Sequence, residues 1–441
     1  MEKPQNKEGL KKALTPLMLW GLGVGYVISG MYFGWNLGLE KGGTLGLAIA
    51  TFFIIVLYVT FTFSYSELAC AIPKAGGVFD YADRALGKDL AFIAGMAQNI
   101  EFIFAPPAIA FAIGAYFNLI FPQIDILWIA VTVYVIFTLL NIYGVKAAAT
   151  FELIITLLAV AELLVFAGVT LPHFQMENLK QNAFPHGWAG VFAALPFAIW
   201  FFLGIEGVAN VAEETVNPQK DILKGFGSAI ITLVILCVLT FVAAIGVGGW
   251  PAIVFDTKGG MSDSPLPMAM AQVVGGSSLL FHMLLTVGLF GLVASFHGLM
   301  LAGGRSTLEF GKAGYAPKNI GKVNSKFQTP ANALLINTLI GILILLTGKT
   351  TEIITIAVFG AITLYIIAMV SLIILRKKEP QLKRPFKVPF YPLSPLLALS
   401  IALISLIAMT YYNFNLSLIY FSILIISFVG YKLFYKKPST T

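Results

Sequence analysis

Apolar residues run along the chain in twelve stretches, at about 15–38, 44–70, 90–121, 126–144, 150–171, 189–212, 224–247, 276–303, 331–348, 352–375, 393–411 and 415–435. Each is close to the roughly 20 residues that a helix needs to cross a bilayer's hydrocarbon core. They lack the two-residue alternation of barrel strands, and a backbone in hydrocarbon must satisfy its own amides, so the pattern predicts twelve transmembrane helices. Two stretches are interrupted. The first reads Gly21-Leu-Gly-Val-Gly25-Tyr-Val-Ile-Ser29-Gly30-Met-Tyr-Phe-Gly34, and the sixth reads Pro196-Phe-Ala-Ile-Trp-Phe-Phe-Leu-Gly204-Ile-Glu206-Gly207.

Composition narrows the class. Of 441 residues, 58% are hydrophobic and only 11% charged, with mean hydropathy +0.87, against roughly 25% charged in soluble domains. This predicts an all-α polytopic membrane protein with no large soluble domain. The net charge of +7 has no basic helix or finger to carry it toward nucleic acid. With the N-terminus placed inside, all but Lys41, Lys180, Lys258 and Lys349 of the 28 basic residues fall on the cytoplasmic side, as the positive-inside rule requires. A missed or invented span would destroy that asymmetry. It therefore supports both the count of twelve and a cytoplasmic location for both termini, in a protein of the plasma (inner) membrane. Cys70 and Cys237 lie in apolar runs and read as small buried hydrophobes.

No phosphate-binding loop of the G-x-x-x-x-G-K-[ST] type occurs, and His173, His186, His282 and His297 lack metal-ligand spacing. No nucleophile elbow or Ser, His and acid set is present either. The expectation is a non-enzyme with no cofactor and no metal. Interrupted helices opening each half are the mark of secondary transporters, whose freed backbone groups bind substrate. The same glycines have G-x-x-x-G spacing, which serves close helix packing instead. Ser29-Gly30 followed five helices later by Gly204-Ile-Glu-Gly207 favours the broken-helix reading. A channel would need a filter or pore ring, for which nothing speaks.

The segment Glu67-Leu-Ala-Cys-Ala-Ile-Pro73-Lys-Ala-Gly76-Gly77-Val-Phe-Asp-Tyr81 resembles a motif of the amino acid, polyamine and organocation transporter superfamily. Asn141-Ile-Tyr-Gly144-Val-Lys146, Glu213-Glu214-Thr-Val-Asn217-Pro218, and Arg305 to Pro317 through Thr329-Pro330 agree in the same order. The resemblance implies a five-plus-five inverted repeat with broken helices 1 and 6 and two peripheral helices. The corresponding organisation is an N-terminal tail 1–14, a transport core 15–375 with repeats of about 15–171 and 189–375, a basic loop 376–392, peripheral helices within 393–435, and a C-terminal tail 436–441. Within the superfamily, Val27 to Asn36, Ile205 to Glu213 and Ala294-Ser-Phe-His297-Gly look most similar to the ethanolamine permeases. That narrower resemblance implies alternating-access import of a small organic amine, with ethanolamine the favoured substrate. An amino acid permease or amino acid/amine exchanger of the same superfamily is the alternative.

Amino acid carriers of this class usually show G-S-G in the first helix, where bare N–H groups take the substrate carboxylate. Here the triplet is Ser29-Gly30-Met31, so a side chain crowds that place, and Met31 would suit a methylene stem. The substrate site implied is Val27, Ile28, Ser29, Gly30 and Met31 with Trp200, Leu203, Gly204, Glu206 and Glu101. Carbonyls of Val27 and Leu203 would accept from an ammonium group, and Glu206 would add a full charge, or else serve as a structural hydrogen-bond partner to the unwound backbone. Trp200 would stack on the substrate or simply pack in the core. Intramembrane acids are costly enough to be functional by default. Glu101, Glu162, Glu206 and His297 are thus candidates for coupling to H+ or Na+; some proton-coupled relatives carry a lysine where Ala159 stands here. Exchange and uniport remain open, as does an ordinary interior role for His297. Glu67, Glu152, Glu213 and Glu214, near span ends, are expected to pair with loop Lys or Arg. Pro106-Pro107 is expected to kink the third helix.

Overall fold

The computed structural model describes residues 12–143, 148–256 and 259–434. Most of the two tails, with Lys3, Lys7, Lys11, Lys436 and Lys437, lies outside the described residues, as do Lys146 and Lys258. The chain is helical throughout, with only two isolated bridges among the described residues.

Ten helices are long and apolar enough to cross a membrane: Leu37–Ala71, Lys88–Ile120, Ile126–Tyr143, Ala149–His173, Leu195–Glu214, Pro218–Gly246, Leu279–Lys312, Thr350–Lys378, Leu393–Tyr412 and Phe414–Leu433. Two shorter apolar helices, Pro16–Tyr32 and Ala331–Leu345, stand where the first and ninth stretches fall. The elements are numbered below as spans 1 to 12 in chain order. The boundaries shift where loops are helical: span 8 runs on to Lys312, and Leu37–Ala71 takes in the outer end of the first stretch, which turns into span 2 at Gly43 (φ 65°, ψ −175°). Span 3 continues as helix through Pro106 and Pro107, so the prolines do not end it.

An interrupted helix opens each half and four spans follow it. Because five is odd, the second half starts from the opposite face of the membrane, which produces the inverted five-plus-five arrangement. Span 10 packs along span 3, span 8 along spans 3 and 5, and span 1 against spans 5, 7 and 8. Spans 11 and 12 lie outside this core, against spans 2, 3 and 10. Exposed Ile231, Ile235 and Val238 on span 7, and Leu335, Leu339 and Leu343 on span 9, recur at helical spacing and make apolar outer stripes suited to lipid.

The basic segment after span 10 is fastened to the end of span 2. Arg376 donates to both carboxylate oxygens of Glu67 at 2.7 and 2.6 Å, and the Val388 N–H donates to Glu67 at 2.7 Å. Arg384 adds a contact at 3.2 Å. The buried Glu67 charge is thereby paired and hydrogen-bonded, the condition under which burial of a carboxylate is tolerable.

Candidate functional site

The interruption in span 1 is held open by a side chain from span 8. Its N-terminal half, Pro16–Val27, ends before Ile28, and a single turn, Ser29–Tyr32, follows. In an unbroken helix the Ser29 N–H would donate to the Gly25 carbonyl. Instead Ser295 stands between them: its hydroxyl accepts from the Ser29 N–H at 2.8 Å and donates to the Gly25 carbonyl at 2.6 Å. A side chain inserted into the ladder is a recognised cause of helix interruption. Ser295 lies in the segment Ala294 to Gly298, but nothing in a lone intramembrane serine marks it in the sequence.

The two interruptions face each other. A Cβ added to Gly30 would stand 2.5 Å from the Trp200 carbonyl oxygen, so only glycine permits this approach. The N-terminal half of span 6, Leu195–Trp200, ends there, and Gly204 adopts a left-handed conformation (φ 94°) before the chain resumes as a 3-10 helix, Ile205–Glu214. That conformation strains any residue with a Cβ. The Trp200 indole donates to the Phe33 carbonyl at 3.0 Å and packs edge-on against the Phe33 ring. It therefore joins the C-terminal end of span 1 to the N-terminal half of span 6.

Glu206 and Glu101 are both fully buried and meet at the span 6 interruption. Their carboxyl groups lie close enough to act on one another, with the Gly204 N–H near Glu101, and neither Glu101 oxygen meets a protein donor at hydrogen-bonding distance. The Tyr365 hydroxyl of span 10 donates to Glu206 at 2.8 Å, and the Tyr58 hydroxyl of span 2 lies 3.1 Å from that of Tyr365 and 3.3 Å from the Ile199 carbonyl. Neither tyrosine stands out in the sequence: a position midway along a span is the available signal, and it is diluted among 16 tyrosines.

The other backbone candidates lie in the same interruptions and are buried. Val27 is the last residue of the N-terminal half-helix of span 1, the Ile28 N–H donates to the Val24 carbonyl, and the Leu203 N–H donates to the Trp200 carbonyl at 3.4 Å. The Met31 side chain is fully buried, its N–H donates to the Ile28 carbonyl at 2.9 Å, and its carbonyl accepts from Trp35.

Glu162 and His297 do not join this cluster. Glu162 accepts from the Tyr32 hydroxyl at 2.6 Å, and that hydroxyl also lies 3.0 Å from the Ala159 carbonyl. Nearby is a cavity of about 10 Å³ edged by Tyr116, Phe166 and Phe281, room for about one water. His297 Nδ1 is 2.9 Å from Glu152. Glu152 is thus not the partner of a loop Lys or Arg but of a histidine, and it borders Gly25 beneath the span 1 interruption. Glu214 does pair with a basic residue, Arg305, at 2.7 Å, while Glu213 accepts from the Ala75 N–H. Among the described residues no group of three or more His, Cys, Asp and Glu could hold a metal ion.

The amino acid permease family profile matches residues 14–429. The chain is 28% identical to a branched-chain amino acid permease of Bacillus subtilis, over 98% of this chain and 95% of that one. It is 24% identical to a methylthioribose transporter of the same organism, over 90% and 88%, and 26% identical to a vacuolar cationic amino acid transporter of Arabidopsis thaliana, over 74% and 57%. These relatives are transporters of small organic solutes. With paired helix interruptions and a family match across residues 14–429, the chain belongs to the amino acid permease family.

Proposed function

We propose that the protein is a secondary carrier for a small amino acid, moved by alternating access around the facing interruptions of spans 1 and 6. The observation that carries this reading is the Glu101–Glu206 carboxyl pair at the span 6 interruption. Two carboxyl groups close together in a buried site share a proton rather than ionising together, and the remaining negative charge suits a protonated amine. The substrate amine is assigned to Glu206, with carbonyls of Val27 and Leu203 as further acceptors, and its carboxylate to the Ser29 hydroxyl and the Gly30 N–H. Trp200 closes the site, and the Glu101–Glu206 pair carries the coupling proton. The basic residues near Lys74, Arg84 and Arg376 support a cytoplasmic assignment for that face and for both termini.

A second reading, an amino alcohol such as ethanolamine, is favoured by one observation. The N–H groups of Ser29 and Met31 are already taken, by Ser295 and by the Ile28 carbonyl, which leaves little for a carboxylate. Competition separates the two. Purified protein in liposomes is challenged with labelled branched-chain amino acid or labelled ethanolamine, each against the other and against choline. Saturable amino acid uptake with counterflow supports the main reading. Ethanolamine flux insensitive to amino acids overturns it in favour of the second.

A further inference from the structure

One turn before Glu101 on span 3 stands Gln98, and one turn after Glu206 on span 6 stands Asn210. Each is 1% exposed. Their side-chain oxygens converge at Gly77, where an added Cβ would lie 3.3 Å from Asn210 Oδ1, 3.7 Å from Gln98 Oε1 and 3.2 Å from the Tyr65 hydroxyl. The Tyr81 ring packs edge-on against that of Tyr65 at 5.4 Å between centroids. Both amides, and the hydroxyls of Tyr65 and Tyr81, have no hydrogen-bond partner within the protein. Buried polar atoms are almost always satisfied, by protein or by ordered water, so a whole cluster of them points to a bound ligand.

The chemistry of the cluster defines that ligand. The amides and hydroxyls offer donors as well as acceptors, and the unmet amide N–H groups of Gln98 and Asn210 call for a ligand that both accepts and donates, as water does. The cluster begins beside the carboxyl pair and ends at Gly77 and Tyr81, next to Asp80 at the membrane face. There Asp80 accepts from the Gly76 N–H at 3.1 Å and lies 3.9 Å from the Lys74 ammonium, with Glu213 and Glu309 the other charges that act on it.

We propose that Gln98, Asn210, Tyr65 and Tyr81 hold a chain of water that carries protons between the Glu101–Glu206 pair and the membrane face at Asp80. An O–H bond breaks at the carboxyl pair as another forms on the adjoining water. The hops repeat to bulk solution, and the pair is left with one proton fewer. This rests on the reading that the pair carries the coupling proton.

The test uses the full-length protein in liposomes holding a pH-sensitive dye. Three signals are followed: net substrate uptake, internal acidification, and counterflow, in which substrate exchanges for substrate without proton release. Gln98→Leu and Asn210→Leu remove the polar groups, and Tyr65→Phe removes one hydroxyl while keeping the ring. The relay predicts that uptake and acidification fall about tenfold or more while counterflow stays near wild type, which also shows that the variants fold. Loss of all three signals in Tyr65→Phe as well as the leucine variants, or loss of none, overturns the relay. Wild-type protein that transports substrate without acidification overturns the coupling reading itself, and the relay with it.

Discussion

The Ser295 hydroxyl donates to the Gly25 carbonyl at 2.6 Å, and in doing so occupies the place that the Ser29 N–H would take in a continuous helix. The interruption of span 1 is therefore a contact between spans and not a property of span 1 alone. Ser295→Ala leaves a buried donor and a buried acceptor unpaired, at a cost of about 1–3 kcal/mol. The expected outcome is a lower thermal unfolding temperature and reduced uptake. Uptake and stability equal to wild type would mean that the glycines alone keep the helix open.

Glu206→Gln keeps the volume of the side chain and an acceptor for Tyr365, but removes the charge. Expression and monodispersity should be preserved while uptake is abolished or severely weakened. Binding at wild-type affinity, read by substrate-induced thermal stabilisation, would show that backbone carbonyls hold the amine without the carboxylate.

Met31 fills the place beside Gly30 with a buried side chain. Met31→Gly should shift selectivity toward larger amino acids over ethanolamine in the competition assay. An unchanged ratio of the two uptakes removes the steric argument.

Glu67 neutralises Arg376 and Arg384 at the junction of span 2 and the segment after span 10. Removing one member of a buried, hydrogen-bonded ion group costs about 3–5 kcal/mol because the other is left unpaired. Glu67→Gln should therefore unfold at clearly lower temperature at neutral pH. A melting curve that superimposes on wild type would reduce the group to a surface-like contact.

Asp80 is pushed up to about 6 by burial, against the opposing pull of Lys74. An acid whose folded value is raised binds its proton more tightly in the folded state. Between about pH 4 and 6 the folded protein holds more protons than the unfolded, so this group's contribution to stability falls as pH rises and levels off above 6. Asp80→Asn should remove that slope from thermal melts collected across the window. A slope unchanged in the variant assigns it to another group.

Much of the architecture was legible in the linear pattern. Twelve apolar stretches became ten membrane-length helices and two shorter ones, because hydrocarbon leaves a spanning chain little choice but helix and the length of each stretch is set by the bilayer. The interruptions at Ser29-Gly30 and at Gly204 were legible for an equally local reason, since glycine and proline act on their own backbone. Charge scarcity also marked Glu101, Glu162 and Glu206 as the acids to explain.

What tertiary structure decided is which of these groups meet. The sequence treated Glu101, Glu162, Glu206 and His297 alike; the fold pairs Glu101 with Glu206 and sends Glu162 to Tyr32 and His297 to Glu152. Ser295, Tyr58 and Tyr365 acquire meaning only through partners on other spans, and Ser295 stands 266 residues from Ser29. The bilayer determines each span by itself, so local composition suffices to find it. A hydrogen bond between spans depends on helix rotation and depth, which are set by packing among all the neighbours and leave no periodic trace in the chain.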